Sequence, residues 1–370
     1  MKKILVLYVP AGAGHQKAAE AVAIALSQHK SECTVTLMDA LDRMPPHFSW
    51  SFKGGYLGMI QNFPWVWGLA YYGTDIRFLS RLSQAIHRLV NSLQGKWLEA
   101  IILEQKPDVI ISTHFFPADV AAHMKKNLNL RAVTVVTDYL PHSIWIAKNT
   151  DLYCAGSETT RKDLMERGVP DEKIIITGIP VDPKFAIVLN RTATAKTLGI
   201  SPEKFTLLIC SGGFGTGPVK SLAESLREIP ERMQVLIVAG KNPALRGELE
   251  ALKPSIPHDL TVYGFVDNID QLMSVSDLLI TKPGGLSCSE ALAKQLPMIL
   301  VFPIPGQEEH NAQVLEKAGT ALRMNQVGEL PVLIRRIRTE PAFRQQLIEN
   351  GKTVRRPGAA EQIAQLALSS

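Results

Sequence analysis

A histidine stands where an apolar run hands over to an alanine-rich stretch. In YVPAGAGHQKAAEAV, Tyr8 to Val22, the chain passes Gly12 and Gly14 and reaches His15. Glycines at a strand-to-helix turn let backbone approach a phosphate, a task that needs no imidazole. The turn is therefore either a decorated phosphate loop or one built to hold His15. An imidazole of pKa ~6.5 can accept a proton near neutral pH. His15 could equally cap its helix or hydrogen-bond a ligand.

Two further stretches carry chemistry. CSGGFGTGPVKSL places Gly212, Gly213, Gly215 and Gly217 between an apolar run and a helical pattern. Glycines permit positive φ, and the following helix start offers unpaired N–H groups to phosphate. No Gly-Lys-Ser/Thr follows, so this is not the nucleoside-triphosphate P-loop. In residues 276–321 a strand ends at Thr281, KPGGLS forms a tight loop, and a helix is predicted to start near Leu286 or Ser287. Glu290 falls one turn into that helix. A carboxylate so near a phosphate site is costly unless it binds something else, and a ribose diol is such a target in dinucleotide folds. GQEEHN then offers Gln307, Glu308 and Asn311, polar groups suited to a polyhydroxylated ligand or to a helix cap.

The elements that must position these groups are short β-branched runs alternating with helical patterns. KILVLYV, CTVTLM, DVIIST, AVTVVT and DLYCAG fall in the first half; FTLLICS, QVLIVAG, LTVYG, DLLIT and MILVF fall in the second. This alternation predicts parallel sheets with crossover helices. The 370 residues suit two domains. Proline-rich GIPVDPKFAIVLNRTATAKTLGISPEKF marks their boundary, giving residues 1–180 and 181–370, with the last helix packing back on the first domain. Two doubly wound α/β domains facing across a cleft would take a ligand between their strand ends.

One segment breaks the alternation. Met44 to Asp75 holds Trp50, Trp65 and Trp67, three of the five tryptophans, among other aromatics. In IRFLSRLSQAIHRLVNSL, Phe78, Leu82, Ile86, Leu89 and Leu93 recur at helical spacing, with Arg77, Arg81 and Arg88 on another face. A basic amphipathic helix beside tryptophans fits a membrane surface; a helical insertion with its own aromatic core fits as well. The net charge of +5 suits an anionic surface or a phosphorylated ligand, and no dense Lys/Arg run points to nucleic acid. The apolar N-terminal run is too short for a signal peptide and reads as a first strand, and no run reaches membrane-spanning length. Cys33, Cys154, Cys210 and Cys288 lack metal spacing and suit a reducing compartment.

With these motifs in order, the chain resembles GT-B glycosyltransferases of the monogalactosyldiacylglycerol synthase and bacterial diacylglycerol glucosyltransferase family. It is similar, more distantly, to the transferase that makes lipid II. AGAGHQKAAEAV, VVTDYLPHSIWI, YGFVDNIDQLMSVSDLLITKPGGLSCSEAL and GQEEHNA carry the resemblance over nearly the whole chain. The Ala-Gly-Ala-Gly-His opening and Phe214 depart from the family pattern without removing a reacting group. The resemblance implies a UDP-sugar donor in the second domain. Gly212, Gly213, Phe214, Gly215 and Thr216 would form its loop, with Phe265 and Val266 by the uracil. Gly284, Gly285, Leu286 and Ser287 would lie at the diphosphate, and Glu290 at the ribose. Gln307, Glu308 and Asn311 would read the sugar and nearby ribose. His15 and Asp138 would face the transferred sugar and the acceptor hydroxyl, with Gly14 and His142 on the acceptor side. A lipid acceptor, most simply diacylglycerol, would bring the enzyme to the inner face of the cell membrane, docked through Trp65, Trp67, Arg77, Arg81 and Arg88. The sequence has no Asp-x-Asp, so neither metal nor cofactor is expected. A polyprenol-linked acceptor and a UDP-sugar 2-epimerase of the same shape are the alternatives. Neither glucose against galactose nor the oligomeric state is fixed.

Overall fold

The structure is a computed structural model that describes residues 1–10, 12–45, 65, 68, 71–73, 95–210, 212–213, 215 and 217–369. The chain forms two compact units. Unit 1 comprises Met1–Pro183, Ile304–Asn311 and Arg356–Ser370; unit 2 comprises Lys184–Pro303 and Ala312–Arg355. The short segments 304–311 and 356–370 thus join the first unit, although they lie far along the chain.

Unit 1 is built on a six-stranded sheet of order β2-β1-β3-β4-β5-β6. Its strands are β1 (Lys2–Tyr8), β2 (Cys33–Asp39), β3 (Val109–Ser112), β4 (Arg131–Val135), β5 (Leu152–Ala155) and β6 (Ile174–Ile176), and every neighbouring pair is parallel. Both faces of such a sheet are covered, and β3 and β5 are accordingly buried along their whole length. Helix Ala13–Leu26 starts at Gly12, whose φ of 103° would strain any other residue. It buries Ala18, Ala19, Ala21, Val22 and Ala25, small side chains that let backbones approach. Helix Ala359–Leu368 packs its own alanines into the same apolar cluster. Lys2 and Arg131 donate to the carbonyls of Leu368 and Leu366, placing cations at that helix's negative end.

Unit 2 carries a second parallel sheet of order β12-β11-β10-β7-β8-β9. It contains β7 (Thr206–Cys210), β8 (Gln234–Val238), β9 (Asp259–Tyr263), β10 (Leu278–Thr281), β11 (Met298–Val301) and β12 (Ala321–Met324). Each sheet changes winding direction once, at β1/β3 in unit 1 and at β7/β10 in unit 2. In doubly wound sheets such switch points are where ligands bind. All three chemistry-bearing stretches leave a strand at one of these two points.

Ten of the twelve strands among the described residues coincide with runs read from the sequence. β6 and β12 were missed. β6 is an apolar run of only three isoleucines, too short to stand out, and β12 is an edge strand whose run is interrupted by the half-buried Arg323.

Candidate active site

In unit 1 the residues after β1, β3 and β4 converge. His15 is the third residue of helix Ala13–Leu26 and makes no capping bond to it. Instead its Nδ1 lies 2.8 Å from the Thr113 carbonyl and 3.1 Å from Thr137 Oγ1. A carbonyl only accepts, so Nδ1 carries the proton and Nε2 presents a lone pair. Thr113 returns a hydroxyl bond to the His15 carbonyl at 2.8 Å, tying the first helical turn to the end of β3. The ring meets His114 edge-on at 4.8 Å and faces Trp145 at 6.1 Å. Part of the side chain reaches the surface, but surrounding protein desolvates the ring and pushes its pKa down to about 4. The imidazole is therefore neutral at pH 7, and a harder group to protonate than the sequence suggests.

Asp138 follows β4 and is buried. Burial pushes its pKa up to about 6, against the lowering effect of hydrogen bonds from Asn311 and the Trp145 indole. It makes no hydrogen bond to His15; Thr113 and Thr137 orient the imidazole instead. Trp145 links the two groups, lying against the His15 ring and bonded to the Asp138 carboxyl.

The structure gives two residues a place the sequence did not foresee. Asn311 is only 1% exposed. Its amide oxygen accepts the Tyr139 N–H at 2.8 Å and its amide nitrogen donates to Asp138 at 3.2 Å, so no surface remains for reading a sugar. His142 accepts the Ile144 N–H at Nδ1 and donates from Nε2 to the Tyr71 carbonyl, so both ring nitrogens are engaged in holding the chain. Gly14 sits in the first helical turn beside His15. Glu308 accepts the Ile304 N–H at 2.9 Å, while Gln307 is half-exposed on the same first turn of helix Gln307–Lys317.

Near this turn stands part of the aromatic segment. Tyr71 is buried against Gly306, whose φ is 100° and where a Cβ would lie 2.8 Å from the ring. The Tyr72 hydroxyl accepts the Gly306 N–H at 3.3 Å. Trp65, by contrast, is 65% exposed. Trp67, Arg77, Arg81 and Arg88 lie outside the described residues.

In unit 2 the donor candidates gather at the β7/β10 switch. Gly212, Gly215 and Gly217 all have positive φ. A Cβ on Gly215 would meet the Ala239 carbonyl oxygen at 2.1 Å. Asn242 donates to the Gly215 carbonyl and the Lys241 N–H to that of Gly213, so the loop is tied to the turn after β8. Phe214 and Thr216 lie outside the described residues. Helix Gly285–Ala293 begins one residue before the sequence estimate, capped by Gly284 with no side-chain bond. The N–H groups of Gly285, Leu286 and Ser287 precede its first repeating bonds and form an anion-attracting end. Glu290, farther along, acts with burial to push up the Cys210 thiol at the end of β7. Phe265 is 51% exposed just beyond β9, with the Lys241 ammonium 5.1 Å from its ring centre and half-buried Val266 next to it. An exposed ring at a strand end offers a stacking face for a base. Among the described residues no His, Cys, Asp and Glu groups cluster as metal ligands.

Residues 15–181 match the family described as monogalactosyldiacylglycerol (MGDG) synthase, and residues 212–366 match the glycosyltransferase family 28 C-terminal domain. The chain is 31% identical over 370 residues to a processive diacylglycerol beta-glucosyltransferase of Bacillus cereus (strain AH187), covering 99% of this chain and 93% of the relative. Among solved structures, Acinetobacter baumannii MurG aligns with a TM-score of 0.64 at 15% identity, covering all of both chains. UDP-GlcNAc 2-epimerase from Neisseria meningitidis, bound to UDP-GlcNAc, aligns with a TM-score of 0.62, also at 15% identity and over all of both chains. These two likenesses show the fold, GT-B. With the family matches and the full-length relative, the chain is a glycosyltransferase and belongs to the family of the diacylglycerol glycosyltransferases.

Proposed function

We propose that the protein transfers a hexose from a UDP-sugar to diacylglycerol with inversion, giving a β-glycosyl glycolipid. The observation that carries the reading is the full-length likeness to processive diacylglycerol beta-glucosyltransferases. Unit 2 would hold the donor. The uracil stacks on Phe265, the ribose diol bonds to Glu290, and the diphosphate lies against the 212–217 loop and the start of helix Gly285–Ala293. Gln307 and Glu308 would face the sugar.

The proposed chemistry is a single displacement. As the acceptor oxygen attacks the anomeric carbon, its proton passes to His15 Nε2. The bond from that carbon to the diphosphate oxygen breaks, and UDP leaves with the electron pair. The loop and helix N–H groups offset the charge that develops on UDP. One displacement converts an α-linked donor into a β-glycoside. An imidazole held near pKa 4 is a weak base in the resting site. In this scheme the ionised Asp138 carboxylate, joined to it through Trp145, favours the imidazolium that forms.

The acceptor stays in a bilayer, so the enzyme must dock on one. Among the described residues no helix is long and apolar enough to cross a membrane. We assign docking to the exposed Trp65 together with Trp67, Arg77, Arg81 and Arg88. The direct test offers diacylglycerol in mixed micelles with UDP-glucose, UDP-galactose or UDP-GlcNAc, then weighs the lipid and determines the anomeric configuration. A β-linked hexosyl diacylglycerol supports the proposal; its absence with every donor ends it. Turnover of UDP-GlcNAc without lipid would indicate an epimerase instead.

A further inference from the structure

We infer that Asn311 is a positioning residue, which holds Asp138 in the geometry and ionisation state that transfer requires. The inference rests on the proposed role of Asp138 and on the contacts around it.

Asn311 and Asp138 are 173 residues apart in sequence. Asn311 is the last residue of the 304–311 segment in unit 1. Its one amide grips two consecutive residues, the Asp138 side chain and the Tyr139 N–H. That pairing fixes its orientation. A flipped amide would set oxygen against carboxylate and NH₂ against N–H, losing both bonds. The Tyr139 carbonyl is held in turn by Thr160 Oγ1 at 2.9 Å. Tyr139 is thus fastened at both its N–H and its carbonyl, and the Asp138 carboxylate turns only by breaking its bonds to Asn311 and Trp145.

A buried carboxylate with few donors resists ionisation. Asn311 and Trp145 are the two donors that oppose burial at Asp138. The titratable neighbours on adjoining elements give little help. His15 is neutral above about pH 4, burial holds the His114 pKa well down, and both ring nitrogens of His142 are engaged in bonds to the chain. The turn carrying Asn311 also bears Glu308, Glu309 and His310, and its Glu308 is bonded to the Ile304 N–H.

The test follows the Asp138 carboxyl by carbon-13 NMR in the full chain with labelled aspartate, assigned with Asp138→Asn, alongside the pH profile of kcat and UDP affinity. Removing a hydrogen bond to a charged group should raise the Asp138 pKa by about one to two pH units in Asn311→Ala. The acid limb of kcat should rise equally, and kcat at pH 7 should fall roughly two- to tenfold. UDP affinity should stay at the parent value. Asn311→Asp keeps the shape and the acceptor for Tyr139 but sets a second carboxyl against Asp138. The pair should then share one proton, with its upper pKa above the parent value. This variant gives the answer if the alanine variant melts. In the parent, the Asn311 side-chain amide signal should move with the Asp138 titration. Unchanged Asp138 titration in the folded variants, or an Asn311 signal blind to it, overturns the inference. A UDP affinity falling in step with activity does so too, by placing Asn311 on the donor. The titration needs neither donor nor acceptor. A parent that makes no glycolipid would therefore sink the proposed function while the NMR still decides the contact.

Discussion

Two ionisable groups of the candidate site in unit 1, His15 and Asp138, have pKa values pushed in opposite directions by burial. Desolvation disfavours the charged form, so His15 falls to about 4 and Asp138 rises to about 6. The activity limb follows with a definite sign. Transfer needs Asp138 ionised and His15 neutral, so kcat should fall on acidification below about pH 6, tenfold per unit. In Asp138→Asn that limb should vanish and a slower activity should persist down to about pH 4, where His15 protonates. A limb that remains near pH 6 in this variant assigns it to another group. His15→Ala should lower the chemical rate by about 10²–10⁴ at saturating acceptor and leave UDP binding intact. Calorimetry with UDP, beside single-turnover rates, checks both halves. Glu290→Ala should show the reverse pattern. Losing a charged hydrogen bond to the ribose would raise the Kd for UDP about 10- to 100-fold, and an unchanged Kd would remove Glu290 from the ribose.

The elements were legible where a local pattern sets them and hidden where a distant partner does. β3, β8, β10 and β11 are apolar runs buried on both faces, and such runs announce themselves. The glycine loops were visible because positive φ and close packing demand glycine. The place of Asn311 was not visible, because GQEEHN reads as a polar helix start whichever residue it touches. Only the fold brings Asp138 to it. His15 lay between. Its position at the end of β1 showed in sequence, but the Thr113 carbonyl that selects its tautomer did not. The glycine loop of unit 2 gives a prediction at this scale. In Gly215→Ala the new Cβ would meet main-chain oxygen of Ala239, which no side-chain rotation relieves. The loop must shift, so UDP affinity should drop about tenfold or more, a loss of at least ~1.4 kcal/mol. Thermal melting should show the fold retained, and retained donor affinity would show that the loop does not shape the donor site.

At the scale of the whole molecule, catalysis and membrane attachment should separate. Basic residues near an anionic bilayer contribute ~1 kcal/mol each. Reversing charge at Arg77, Arg81 and Arg88 should therefore release the protein from anionic liposomes, and high salt should act similarly on the parent. Trp65→Ala should weaken binding in a way salt does not mimic, since it removes apolar contact. UDP affinity should survive all these changes; co-sedimentation like the parent's would free the segment from this role. The order of the chain has another consequence, for biosynthesis. Unit 1 starts at Met1 but needs residues 304–311 and 356–370 to be complete. On a ribosome adding ~5–20 residues per second, its first 183 residues wait roughly 10–40 s for that final helix. Throughout that interval, in which all of unit 2 is synthesised, the alanine face of helix Ala13–Leu26 lacks its cover. The half begun first is the half finished last, and the nascent chain presents a holdase chaperone with an apolar face for the whole delay.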